Sequence, residues 1–205
     1  MKLYFAPGAC SLAPRIVASE MGIPIETVKV DLADHKTADG RDFYTINPRG
    51  YVPALELSDG AVMTETSILV QYLADLAPTK ALIPPFGTRE RYYTQEWLNF
   101  LATELHKGFG PLWNASAPEE TKASARARLV KVFKELDQRL GKNAYIAGSS
   151  FSVVDAYAFT LLNWAAHHKL DLLPYGHLLA WQAKVFERPK VKSALIAEGL
   201  LKAAA

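Results

Sequence analysis

Residues 51–64 read YVPALELSDGAVMT, and the pairing of their two apolar runs decides the fold. Ala54-Leu55 and Ala61-Val62-Met63 flank Asp59-Gly60, a dipeptide that tolerates the positive φ of a tight turn, so the two runs are predicted to form an antiparallel hairpin. Downstream, Ile68, Leu69, Tyr72, Leu73 and Leu76 recur at helical spacing. Upstream, Lys2-Leu3-Tyr4-Phe5 is a short β-prone run that ends at Pro7-Gly8. Leu12, Ile16, Val17 and Met21 then follow a helical period until Gly22-Ile23-Pro24 stops it. Ile25, Val28 and Val30 give a second strand before the polar loop DLADHKTADGRD. The order is βαβ, an irregular segment, then ββα. That order predicts a small mixed sheet whose first pair is parallel and whose last pair is antiparallel.

Past the hairpin and its helix, residues 78–87 read PTKALIPPFG, with three prolines and a glycine that interrupt regular structure. Beyond them the pattern is helical, with helices expected over 88–113 and 119–140. A third begins at Ser152, where Ser152-x-x-Asp155 has the form of a capping box with the shorter carboxylate. Others are expected over about 178–186 and after Pro189. The fold class is therefore α/β followed by all-α. The domains are expected at 1–78 and 88–205, with a linker at 79–87.

Composition excludes several functions. Half of the 205 residues are hydrophobic and the formal net charge is only +2, so a packed core is within reach and nothing electrostatic favours nucleic acid as a partner. The start of the chain lacks the basic and apolar regions of a signal peptide, and no apolar stretch approaches the roughly 20 residues of a membrane span. The single cysteine cannot form an internal disulfide, which fits a cytoplasmic protein. His167 and His168 are adjacent and so do not share a helix face; no metal site is indicated.

Three stretches carry chemistry. Cys10-Ser11 lies between a strand end and a helix start, with Ser11 available as N-cap; amide N–H groups and the helix dipole favour a thiolate there. The position alone leaves Cys10 open between a reactive thiol and a buried structural cysteine. Val52-Pro53 precedes a strand; a cis peptide there would turn the Val52 backbone outward to pair with an extended peptide, and a trans proline would simply open an edge strand. Thr64-Glu65-Thr66-Ser67 joins hydroxyls and amides that suit a carboxylate to a Glu65 that suits an ammonium group, against a reading as helix capping only.

Taken with NPRGYVPAL, DGAVMTET, NFLATELHK, FSVVDAY and FERPKV, in this order and spacing, the sequence resembles the cytosolic glutathione transferases, specifically the bacterial Beta class, over essentially the whole chain. The resemblance implies a thioredoxin-like glutathione-binding domain joined to a helical domain, working as a homodimer. It implies that glutathione is a co-substrate and that there is no cofactor. Val52, with Pro53 cis, would bond the cysteinyl part of glutathione through its backbone, and Glu65 and Thr66 would hold the γ-glutamyl end. Cys10 would lie beside the glutathione sulfur with Ser11 assisting, while His106 and Lys107 face the sulfur or the second-substrate pocket. Asn99 would reach glutathione across the dimer interface, and His35 or Lys36 would meet the glycine carboxylate.

The residues themselves support part of this. Asn99, Thr103 and His106 fall at i, i+4 and i+7, one stripe of an α-helix, and Leu98, Leu101 and Leu105 form a second, core-facing one. Thr66 replaces the usual serine with its hydroxyl intact, and Ile68 replaces a small residue, which should tighten packing behind that helix. The implied reaction is attack of the glutathione thiolate on a small electrophile. Cys10-dependent thiol–disulfide exchange, a non-catalytic glutathione-binding protein and a specialised dehalogenase or isomerase are the alternatives.

Overall fold

The computed structural model describes residues 1–77 and 82–203, so the boundary expected at 78–79 lies outside the described residues. The sheet is built from β1 (Lys2–Phe5), β2 (Glu26–Asp31), β3 (Lys36–Thr37), β4 (Ala54–Glu56) and β5 (Val62–Thr64), in the order β3-β2-β1-β4-β5. β1 pairs in parallel with β2 and antiparallel with β4, and β4 with β5, as the opening stretch implies. The turn between β4 and β5 is longer than two residues. Leu57 N–H donates to the Ala61 carbonyl, with Gly60 at φ 84°. β3 has no counterpart in the sequence reading, which treats its residues as loop.

The helix α1 (Leu12–Met21) ends where expected, on a left-handed Gly22 at φ 66° whose N–H closes the last turn. Its inner face, with Leu12, Ile16 and Val17 buried, and α2 (Thr66–Leu76), with Leu69 and Leu73, complete the core of the sheet unit. Ile68 is 47 % exposed, so its extra bulk tightens nothing behind α2.

The chain forms two compact units, one of Met1–Ile83 with Glu187–Ala205 and one of Pro84–Phe186. The expected helical domain of 88–205 therefore yields its last helix, Pro189–Ala197, to the sheet unit. The physical reason is a set of polar ties to α1. Arg188 forks onto Glu20 at 2.7 and 2.8 Å, and Ser19 Oγ donates to the Lys190 carbonyl. Glu198 Oε1 lies 3.0 Å from the buried Arg15 Nε, and its Oε2 accepts from the Gly8 N–H at 2.9 Å.

The second unit contains α3 (Arg89–Phe100), α4 (Gly110–Trp113), α5 (Glu119–Leu140), α6 (Val153–His167) and α7 (Gly176–Phe186); α8 (Pro189–Ala197) belongs to the first. α3 does not continue unbroken to Trp113. It passes into a π-helical turn over Leu101–His106 and a 3-10 turn over Lys107–Phe109. α6 opens with the expected capping box: Ser152 Oγ accepts from the Val154 N–H, and Asp155 Oδ2 accepts from the Ser152 N–H at 3.0 Å. Asp155 is fully buried and its other oxygen accepts from the Ile146 N–H and the Trp181 Nε1–H, so one carboxylate ties α6 to the preceding loop and to α7.

Candidate functional site

In the sheet unit, the run of residues 49–53 touches three of the expected groups. Arg49 Nη1 meets Glu65 Oε1 at 3.1 Å, both side chains being mostly exposed. Gly50 lies against His35 and Tyr44, and the Val52 carbonyl accepts from Cys10 Sγ at 3.3 Å. The Val52–Pro53 peptide is cis. Buried Asn47 shapes this run: its carbonyl accepts from the Gly50 N–H and its amide donates to the Tyr51 carbonyl at 2.7 Å. Gly50 has φ 69°, and a Cβ there would meet Tyr44 Cε1 at 2.6 Å, so both conformation and space require glycine.

Glu65 takes an unusual backbone, φ 72° and ψ 115°, immediately before α2. Its own carbonyl accepts from the Ile68 and Leu69 N–H groups. The first-turn amides of Thr66 and Ser67 have no acceptor among the described residues and follow directly on the strained Glu65 backbone. Thr66 is buried. His35, at φ 55°, packs against Tyr44 with ring centroids 4.6 Å apart and planes tilted by 38°, and keeps a buried Nδ1 with no hydrogen-bond partner. Lys36 is exposed on β3.

Ser11 corrects one expectation. It stands at the N-cap position but has helical dihedrals and makes no cap bond. Its hydroxyl instead donates to the Ala6 carbonyl and accepts the Ala6 N–H, both at 3.2 Å, so the fully buried side chain ties the loop that carries Cys10. The Leu12 and Ala13 amides are used as well, by the Ala9 and Cys10 carbonyls. Cys10 itself is buried, and its contact with Val52 is one that a protonated thiol makes.

In the helical unit, the π turn separates the expected stripe. One inserted residue shifts the phase by about 100° at 3.6 residues per turn. Asn99 and Thr103 are exposed and linked by the Thr103 Oγ1 bond to the Asn99 carbonyl, whereas His106 turns inward. Its Nδ1 lies 2.6 Å from the Tyr157 hydroxyl, and its ring meets Trp164 at 5.1 Å. Burial, with help from the Lys107 charge, pushes the His106 pKa down to about 4. Lys107 does not share this niche; it lines a separate cavity of about 370 Å³ with Pro111, Thr121, Ser124 and Arg128. Tyr157 was visible in the sequence only as part of FSVVDAY; nothing in its spacing marks it as the partner of His106.

A cis proline ledge, a cysteine at the start of α1 and an acidic residue at the start of α2, in a chain with an all-helical second unit, define a thiol-handling protein of thioredoxin-like descent. Comparisons identify which one. Residues 8–76 match the glutathione S-transferase N-terminal domain family and residues 100–189 the C-terminal domain family. The chain is 46 % identical to glutathione S-transferase GstA of Escherichia coli O157:H7, covering 98 % of this chain and all of that one. Among solved structures it is similar to the sphingomonad glutathione S-transferase complexed with glutathione (43 % identity, TM-score 0.95). It is equally similar to the beta class glutathione S-transferase of Sphingomonas chungbukensis (44 % identity, TM-score 0.95); each match covers 98 % of this chain and all of the other. The chain belongs to the glutathione S-transferase family, with its resemblance to the bacterial beta class. Among the described residues, no helix is long and apolar enough to cross a membrane.

Proposed function

We propose that this transferase binds glutathione along residues 49–53 and the start of α2 and conjugates its sulfur to small electrophiles, as a cytoplasmic homodimer. The support is the run of residues 49–53, in contact with Glu65, His35 and Cys10 at once, within a chain similar along 98 % of its length to a transferase solved with glutathione. Val52, ahead of the cis Pro53, offers its backbone to the cysteinyl unit. Glu65 receives the γ-glutamyl ammonium group, and Thr66 with the first-turn amides of α2 receives its carboxylate. His35 serves the glycine carboxylate in preference to Lys36, because it is held against Gly50 while Lys36 is exposed on β3. Asn99 and Lys107 enter as exposed polar groups of the helical unit, Asn99 by way of the partner subunit.

In the transfer step the glutathione thiolate attacks an activated carbon. A carbon–sulfur bond forms, the bond to the leaving group breaks with its electron pair, and the thiol proton passes to solvent. Cys10 turns its thiol proton from the Val52 carbonyl to this sulfur as a hydrogen-bond partner, with Ser11 holding its loop, and His106 provides a neutral hydrogen-bond donor. In thiol–disulfide exchange Cys10 would be the nucleophile instead, with a second glutathione resolving the mixed disulfide, since the chain has no other cysteine. Cys10→Ala separates the two: transfer to an activated aryl chloride is expected to persist while reduction of a glutathione mixed disulfide vanishes. Loss of both activities in a folded variant would make Cys10 part of transfer itself. Absence of any heat of glutathione binding at millimolar concentration would overturn the reading.

A further inference from the structure

The contact between His106 and Tyr157 decides which ring nitrogen carries a proton. A phenol O–H is a stronger hydrogen-bond donor than a neutral imidazole N–H, and an imidazole nitrogen a far better acceptor than a phenol oxygen, so the 2.6 Å contact between Nδ1 and the hydroxyl oxygen pairs best with the hydroxyl as donor. The hydroxyl therefore donates and Nδ1 accepts. Tyr157 is 1 % exposed, on a helix of which nearly every residue is buried, so this hydroxyl is anchored more firmly than the half-buried imidazole it meets. The ring is further confined by Trp164, edge-on at 5.1 Å, and by the Tyr157 ring at 5.9 Å. A neutral imidazole whose Nδ1 accepts must carry its proton on Nε2.

We infer that Tyr157 is a positioning residue: its hydroxyl locks His106 as the neutral Nε2–H tautomer, so that His106 serves as a hydrogen-bond donor and not as a general base. The π turn is what makes the lock possible. Without the inserted residue His106 would stay on the exposed stripe with Asn99 and Thr103; with it, the ring swings to α6. A base that took the glutathione proton would need a free Nδ1 or an unprotonated Nε2, and the bond to Tyr157 removes both. The kinetic consequence rests on the transferase reading above; the tautomer does not.

The test is long-range ¹H–¹⁵N correlation on the full-length, ¹⁵N-histidine-labelled protein at pH 7, with the His106 signals assigned by their disappearance in His106→Asn. The expected pattern is a protonated Nε2 and an unprotonated Nδ1. A protonated Nδ1 in the wild-type protein would overturn the inference, and needs neither turnover nor a variant of Tyr157. In Tyr157→Phe the tautomer preference should be lost, with kcat for an aryl chloride down about 3- to 10-fold and the KM for glutathione unchanged, the range expected for one hydrogen bond. An unchanged tautomer in a folded Tyr157→Phe would likewise overturn it. A lost tautomer with unchanged kcat would overturn the part assigned to the donor.

Discussion

His106 makes stability depend on pH in a calculable way. Its pKa falls from an ordinary value of 6.5 to about 4 in the folded protein, because burial disfavours the imidazolium. The unfolded chain therefore binds a proton at this site between those values while the folded chain does not, and folding loses free energy as pH drops through the window. Two and a half units correspond to about 3 kcal/mol in full; linkage places about 2 kcal/mol of the loss by pH 5 and nearly all of it by pH 4. Other buried groups contribute to the pH dependence as well. Burial raises the pKa values of Glu198 and Asp155, and these act in the opposite sense, since a carboxyl with a raised folded pKa recovers stability as pH falls. They are common to wild type and variant and cancel in a difference. His106→Asn keeps an acceptor for the Tyr157 hydroxyl and removes the titration. Urea denaturation of both proteins at pH 7, 6, 5 and 4.5 should show the wild type losing about 2 kcal/mol relative to the variant by pH 5. A difference that stays flat across this range would refute the half-buried, neutral histidine.

Two further substitutions probe the framework of the site. Gly50→Ala forces a side chain into a left-handed backbone at φ 69° and against the Tyr44 ring, so it should cost about 1–3 kcal/mol and weaken glutathione binding through the displaced 49–53 run; an unchanged denaturation midpoint and binding heat would count against that run as the ledge. Asp155→Ala strands the Ile146, Ser152 and Trp181 N–H donors in the interior and should cost about 3–5 kcal/mol, whereas Ser152→Ala should cost about 1 kcal/mol; equal midpoint shifts would mean that the carboxylate acts only as a cap.

What was legible in the sequence is what local chemistry determines. Gly22 ends α1 because its φ of 66° suits no side chain well, and Glu119–Leu140 stands as one helix because no breaker interrupts its period. The hairpin and the capping box are likewise short-range. β3 was not legible because a two-residue Lys-Thr strand has no period to detect and exists only through its pairing with Val30 and Asp31. The π turn was hidden because Leu98, Leu101 and Leu105 are buried with it as they would be without it; only the inward swing of His106 betrays it. The grouping of α8 with the sheet unit depends on Arg15–Glu198 and Glu20–Arg188, pairs far apart in sequence that no local pattern announces.

The start of α1 shows how motif and mechanism part company. A cysteine before a helix suggests a thiolate held by open amides and a dipole, yet the Leu12 and Ala13 amides are already bonded to the Ala9 and Cys10 carbonyls, and the Ser11 hydroxyl is bonded to Ala6. With those two amides spent, the dipole contributes about 0.3–1 kcal/mol, which is less than the 1.36 kcal/mol of a single pKa unit. The Val52 carbonyl adds nothing for an anion, since it accepts the thiol proton. On the function proposed above, a glutathione thiolate at neutral pH gains from a further donor. On the function proposed above that donor is His106, which burial keeps neutral and which the Tyr157 hydroxyl holds in place.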